Sequence, residues 1–269
     1  MSTEQLLSIK NLNIYLQEHG SDTRNQIIHN VSFDLEKGKV LGIVGGSGSG
    51  KTLTSLSVLS LLHDKFSVTG SIHFNGADLL QLPERKIRKI RGKEIALIPQ
   101  NPMASFNPII SIGEHMVESM RSHQKLTRKI AKELAIYYLE KMNFADPSDL
   151  ISQYPFQLSG GMLQRVLIAI TLSLQPSLII ADEPTTALDK VTEDHILHQL
   201  EIMKEEYDTS MLLVSHDFHV VSRLADEVAV IHNGMLVEKG SIVNVFRQPN
   251  HSYTKQLIDA SIRLKREKP

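Results

Sequence analysis

The chain has 269 residues, 41% of them hydrophobic, with 29 basic against 30 acidic side chains, a net charge of −1 and no cysteine. That length can bury one large core or two small ones, and so balanced a charge gives no reason to expect nucleic acid or an anionic surface as a partner. The missing thiols exclude disulfides, cysteine-ligated zinc and iron–sulfur clusters, and they suit a reducing interior.

Taken from its start, MSTEQLLSIKNLNIYLQ has no basic-then-apolar leader, and no run reaches the roughly 20 apolar residues that a bilayer span needs. Any work at a membrane is therefore expected to rest on another chain that crosses it. Residues 6–16 and 26–35 alternate apolar with polar on either side of the turn-rich EHGSDTRN, which predicts two antiparallel strands. The apolar KVLGIVG, residues 39–45, reads as a buried strand; GGSGSGKT follows at residues 45–52, then TLTSLSVLSLL with helical spacing. SVTGSIHFNGADLL predicts a hairpin turning at Asn75 and Gly76, and EIALIPQ, residues 94–100, a further buried strand. From about residue 112 to 144 the apolar positions follow a helical period, broken near SHQKLT and closed at ADPSDL. After LSGGMLQR, residues 158–165, strands and helices alternate again. SLIIADEP precedes a helix over about 193–207, SMLLVSHD precedes a short one over about 220–225, and EVAVIHNGMLVEKG closes the series. Such alternation predicts a single α/β domain on a mainly parallel sheet covered on both faces.

Gly45, Gly46, Ser47, Gly48, Ser49, Gly50, Lys51 and Thr52 satisfy the phosphate-binding-loop pattern in its strand–loop–helix setting. With almost no side chains in the way, consecutive N–H groups can curl round a β-phosphate, next to a helix N-terminus whose dipole favours an anion. Lys51 is expected to reach the β and γ oxygens and Thr52 to hold Mg2+ through its hydroxyl. A plain glycine-rich turn is the bland alternative, and the strand and helix on either side weigh against it. Residues 178–183, LIIADE, give four apolar residues ending in two carboxylates, and the ends of parallel strands are where ligands sit. Asp182 is expected to bind Mg2+. Glu183, where the strand stops, can turn toward the γ-phosphate and take a proton from the attacking water. An arbitrary Asp-Glu pair would be better read as solvated helix-start carboxylates; behind a phosphate loop at this spacing the catalytic reading prevails.

With these residues in hand, the sequence resembles, over nearly its whole length, the nucleotide-binding subunits of ATP-binding cassette (ABC) transporters. The resemblance adds Gln100 as the Q-loop glutamine, Leu158, Ser159, Gly160 and Gly161 as the signature, Ala187, Leu188 and Asp189 as the D-loop, and His216 as the switch histidine. It implies the P-loop ABC ATPase fold. A RecA-like core and an antiparallel β-subdomain would take residues 1–100 and 166–240, an inserted α-helical subdomain about 101–165, and a C-terminal extension 241–269. It also implies ATP and Mg2+ as cofactors, with Thr52, Gln100 and Asp182 on the metal and Glu183, His216 and Gln100 in catalysis. In this family two subunits close head to tail, so that nucleotide on one phosphate loop is completed by Ser159, Gly160, Gly161 and Asp189 of the other. The implied partners are transmembrane permease subunits, a paralogous second ATPase or a second copy of this chain and, indirectly, an extracellular substrate-binding protein, with no nucleic acid. The implied place is the cytoplasmic side of the cell membrane.

Two positions depart from the family pattern. Met162 replaces the glutamine that usually ends the signature, and Leu16 stands where many members carry an adenine-stacking aromatic. Tyr15 is the candidate for that stack, but neighbouring strand residues face opposite ways, so it serves only if the strand twists or slips there. Residues 100–116, QNPMASFNPIISIGEHM, and the tail RQPNHSYTKQLIDA resemble the peptide and nickel importers, and several motifs are most similar to the D-type ATPases of the nickel branch. Nickel uptake is thus favoured over dipeptide or oligopeptide uptake, on kinship and not on any ligand cluster. His216 with His219, and His195 with His198, stand three apart, yet no third ligand has convincing spacing for a metal site. A soluble ABC ATPase acting on DNA or ribosomes is the rival class. It is disfavoured because neither a long coiled-coil insertion nor a second cassette is present.

Overall fold

The computed structural model describes residues 4–17, 24–186 and 188–266. In chain order its first half contains β1 (Gln5–Gln17), β2 (Arg24–Glu36), β3 (Val40–Val44), α1 (Lys51–Val58), β4 (Phe66–Phe74), β5 (Ala77–Asp78), α2 (Glu84–Ile90), β6 (Ile95–Ile98), α3 (Ile112–His123) and α4 (Arg128–Lys141). Then come α5 (Pro147–Leu150), α6 (Gly160–Leu174), β7 (Leu178–Asp182), α7 (Lys190–Tyr207), β8 (Ser210–Val214), α8 (Phe218–Leu224), β9 (Glu227–His232), β10 (Met235–Ser241), α9 (Ile242–Arg247) and α10 (Ser252–Arg266). The chain packs as two compact units, Met1–Lys89 with Ser210–Pro269, and Ile90–Thr209.

In the first unit β1 is flanked by β2 and β4, both antiparallel to it, and β4 turns back into β5. Along β2 the apolar Val31, Phe33 and Leu35 are buried while Ser32, Asp34 and Glu36 face water, the period-two pattern of a half-buried strand. The β4–β5 turn falls on Asn75 and Gly76, both at positive φ (48° and 79°), as a tight hairpin with the strands' own twist demands. β1 is bulged against β2: Asn11 and Asn30 sit at φ 50° and 49°, and the Asn13 side-chain oxygen accepts from the Asn30 amide at 2.9 Å and from Gln26 at 2.8 Å. A further shift against β2 lies between Ile14 and Tyr15, with the extra residue on β2, whereas β1 keeps regular register with β4 from Asn13 to Leu16. The other sheet strands of this unit centre on β3, parallel to both β8 and β9, with β10 antiparallel to β9. All five residues of β3 are buried, as befits a strand covered on both faces.

In the second unit β6 and β7 pair in parallel, and α3, α4 and α6 pack on one another through Met116, Met120, Ala131, Ala135, Leu139, Leu163 and Val166, all buried. The break expected near SHQKLT is where α3 ends and Thr127 caps α4, its hydroxyl accepting from Ile130 N. The helices of the expected 101–165 insertion all begin within this unit. The unit also takes in β6, β7 and α7, and runs from residue 90 to 209. Among the described residues no helix is long and apolar enough to cross a membrane.

Candidate functional site

The first unit supplies the phosphate loop. β3 delivers the chain to Gly45, whose place permits no side chain, because a Cβ there would lie 2.2 Å from the Ile231 carbonyl oxygen at the end of β9. Ser47 and Gly48 form the exposed tip, Ser49 is buried, and Gly50 at φ 102° leads into α1. The loop is braced from beside: Gly234 N donates to Ser49 O at 3.1 Å, and Gly46 N donates to the Tyr253 hydroxyl at 2.7 Å. Lys51 is buried, and its ammonium donates to the carbonyls of Gly45 (3.0 Å) and Gly46 (2.9 Å). An ammonium that exchanged these neutral carbonyls for an anion would gain a stronger hydrogen bond. Thr52 is exposed on the first turn of α1. His216, after β8, is also exposed, followed by Asp217, which caps α8 through His219 N at 2.7 Å. Tyr15 is half-buried at the bulged end of β1.

The second unit supplies the carboxylates and the signature. β7 is wholly buried and ends in Asp182, 4% exposed. Glu183 then adopts φ 48°, a left-handed backbone uncommon for a residue with a side chain. One oxygen of its carboxylate, Oε2, accepts from Gln100 Nε2 at 2.9 Å and from the Thr186 hydroxyl at 2.8 Å. Gln100 follows β6, so the parallel β6–β7 pair is what brings the two expected site residues together.

Ser159 caps α6 by accepting from Met162 N at 3.2 Å, and it is exposed together with Gly160, around which a Cβ would meet nothing within 4 Å. Asp189 caps α7: its carboxylate accepts from the Thr192 amide at 3.0 Å and the Thr192 hydroxyl at 2.7 Å. The Thr192 hydroxyl, followed by the backbone donors, holds that carboxyl below its ordinary range. Gln100, Ser159, Gly160, Gly161, Met162 and Asp189 all line one cavity of about 460 Å3. Gln164 lines it too, buried, with neither amide atom hydrogen-bonded to protein. Arg165 stacks over the Phe144 ring at 4.2 Å, and burial lowers its hold on a proton against the opposing pull of Asp189. Of the D-loop, Leu188 and Asp189 lie on the cavity wall, while Ala187 falls outside the described residues.

Two contacts had no forecast in the sequence. Thr186 reaches Glu183 from three residues on, a hydroxyl whose signal was only its place in DEPTT. Tyr253 reaches the phosphate loop across 207 residues; its signal was the tail stretch PNHSYT, read only as a kinship mark.

A family model described as ABC transporter matches residues 28–186. The metal-staphylopine import system ATP-binding protein CntD of Staphylococcus aureus is 40% identical over 94% of this chain and 92% of that protein. The oligopeptide transport ATP-binding protein OppD of Bacillus subtilis is also 40% identical, over 93% of this chain and 70% of that protein. Among solved structures, the ATP-binding cassette MJ0796, a dimer in a post-hydrolysis state with ADP and Pi, matches with a TM-score of 0.79 over 88% of this chain and 99% of that chain. At 24% identity this likeness establishes the fold, that of an ABC ATPase: mixed α/β with an antiparallel sheet and helical parts.

Proposed function

Because this chain belongs to the ABC transporter family, as the ATP-binding and ATP-hydrolysing subunit of an importer in the peptide and metal-chelate group, we propose that it powers the uptake of a chelated transition metal, nickel, through a membrane permease. The likeness to the metal-staphylopine subunit, spread over nearly all of both chains, supports the metal cargo. Equal identity to the oligopeptide subunit supports peptide uptake as the second reading.

The hydrolytic role rests on one observation, the Glu183 carboxylate at the left-handed end of β7, hydrogen-bonded to Gln100. In our assignment residues 45–52 cradle the triphosphate, with Lys51 on the β and γ oxygens. Glu183 accepts a proton from water as its oxygen attacks the γ-phosphorus, and the bond to the β–γ bridging oxygen breaks to release ADP. His216 senses the γ-phosphate, and Tyr15 stacks on the adenine. Ser159, Gly160, Gly161 and Asp189 complete the site of a second ATPase subunit, with a paralogue as the working partner, at the cytoplasmic face of the membrane. Thr52, Gln100 and Asp182, the residues assigned to the metal, each offer an oxygen donor, which suits a hard cation such as Mg2+. Gln100 spends its amide N–H on Glu183, and its carbonyl oxygen is the atom left to serve as a donor. Bound there, Mg2+ would neutralise charge on the β and γ phosphates.

Uptake by the assembled complex in vesicles tests the cargo and the base together. ATP-driven accumulation of radioactive nickel, supplied with a chelator, is the expected result, and Glu183→Gln should lower it by about 100-fold or more while ATP still binds. Accumulation of a labelled dipeptide without nickel would decide for the second reading, and near-normal turnover in the Gln variant would remove Glu183 as the base.

A further inference from the structure

The contact between the C-terminal segment and the phosphate loop has no place in the scheme above. We propose that Tyr253 is a positioning residue for the nucleotide: its hydroxyl fixes the Gly45–Gly46 peptide, and through that peptide the resting place of Lys51. This rests on reading residues 45–52 as the triphosphate cradle.

The chain of contacts is short. Gly46 N donates to the Tyr253 hydroxyl at 2.7 Å, and the Gly45 carbonyl of that same peptide accepts from Lys51 Nζ at 3.0 Å, while the next carbonyl, of Gly46, accepts from Lys51 Nζ at 2.9 Å and from Ser49 N at 3.3 Å. A backbone N–H that is partly buried and has one good acceptor is oriented by it, because leaving it unpaired costs free energy comparable to the bond itself. A Cβ at Gly46 would stand 2.9 Å from the hydroxyl oxygen, so a side chain there would displace the tyrosine from its present place.

Tyr253 is itself held on several sides, as a part that sets another's position must be. Its ring stacks on His232, at the end of β9, with centroids 3.7 Å apart and planes 24° apart. Its amide donates to His251 Nδ1 at 3.2 Å. The loop before it hangs on Glu238 of β10, whose two carboxylate oxygens accept from Asn250 N at 2.8 Å and His251 N at 3.1 Å. Carboxylate, loop, tyrosine, glycine and lysine thus form a connected path from the outer strand β10 into the cradle, all of it within the first compact unit. α10 begins beside Tyr253, at Ser252, so the same path gives the C-terminal helix a grip on nucleotide affinity.

Tyr253→Phe keeps the ring on His232 and deletes only the acceptor. In the full chain, and in the assembled transporter, the dissociation constant for ATP and the KM for ATP should both rise about five- to tenfold, the worth of one neutral hydrogen bond, while kcat changes less than twofold. A merely structural tyrosine would lower the melting temperature and leave both constants for ATP unmoved, which would overturn the proposal, as would a fall in kcat at constant KM. Tyr253→Ala, which also removes the stack, should weaken ATP binding further; if it does not fold, the Phe variant decides alone. Lys51→Ala runs beside them and should lose most ATP affinity. Unchanged binding in that variant would sink the reading of the loop itself, whereas lost binding there with unchanged binding in Tyr253→Phe would sink only the role of Tyr253.

Discussion

Glu183 holds a backbone that costs a side-chain-bearing residue about 1–2 kcal/mol, and Gln100 and Thr186 meet it there with two hydrogen bonds to one carboxylate oxygen. The left-handed turn breaks the alternation of β7, so the side chain after Asp182 need not point to the opposite face. Strand periodicity alone foretold that Glu183 had to turn at the strand's end; it could not foretell that Oε2 would be filled by two donors, because Gln100 lies 83 residues away. The Tyr253 contact was hidden for the same reason, a pairing set by the fold and not by neighbours in sequence. Glu238 gives a pH test of that contact's support. Burial pushes its carboxyl upward, but the Asn250 amide, the Thr254 hydroxyl, the His251 amide and the charge of His251 together outweigh this and hold it below the ordinary carboxylate range. The unfolded chain therefore binds that proton at higher pH than the native one. The stability Glu238 contributes is complete above the ordinary carboxylate range and is lost as pH falls through its lowered native value. Glu238→Gln should flatten the acid side of a melting-temperature profile, and a profile identical to the parent's would count against the anchoring role.

Elements were legible where local chemistry dictates them. Asn75 and Gly76 announce a tight turn because both positions need positive φ, and the polar break at SHQKLT holds the stop of α3 and the cap of α4. Helix starts were read late: α7 begins at Lys190 and α8 at Phe218, ahead of the expected 193 and 220. The caps Asp189 and Asp217 set those starts, whereas apolar periodicity shows only once the helix has turned its face inward. Thr127 offers a clean measure of capping away from every proposed site residue. Thr127→Ala deprives Ile130 N of its acceptor and should cost about 1 kcal/mol, visible as a fall of about 2–4 °C in melting temperature with ATP affinity unchanged.

For the whole molecule, the ordered motifs were enough to recognise the fold, while the pairing of β6 with β7, about 80 residues apart in sequence, leaves no local mark in either strand. Cargo was the least legible property. In the proposed assignment the site residues meet nucleotide and partner subunits, so nickel or peptide would leave no ligand set for the sequence to display. Pairing of subunits is open to direct measurement. With ATP bound, Glu183→Gln should shift from monomer to dimer in light scattering, most completely when the paralogous ATPase is added. A variant that stays monomeric with saturating ATP and the paralogue present would contradict the head-to-tail arrangement.

Ser159 shows what such pairing asks of a single hydroxyl. Its oxygen accepts from Met162 N to begin α6, and it stands exposed with open space around Gly160. A hydroxyl that accepts on its inner side still has its hydrogen to give, so the cap acts as a rectifier: what the surface presents is a donor, backed by the positive end of a 15-residue helix. The signature is thereby polarised toward anions before any second subunit arrives. Ser159→Ala would take away the helix start and the directed donor in one stroke.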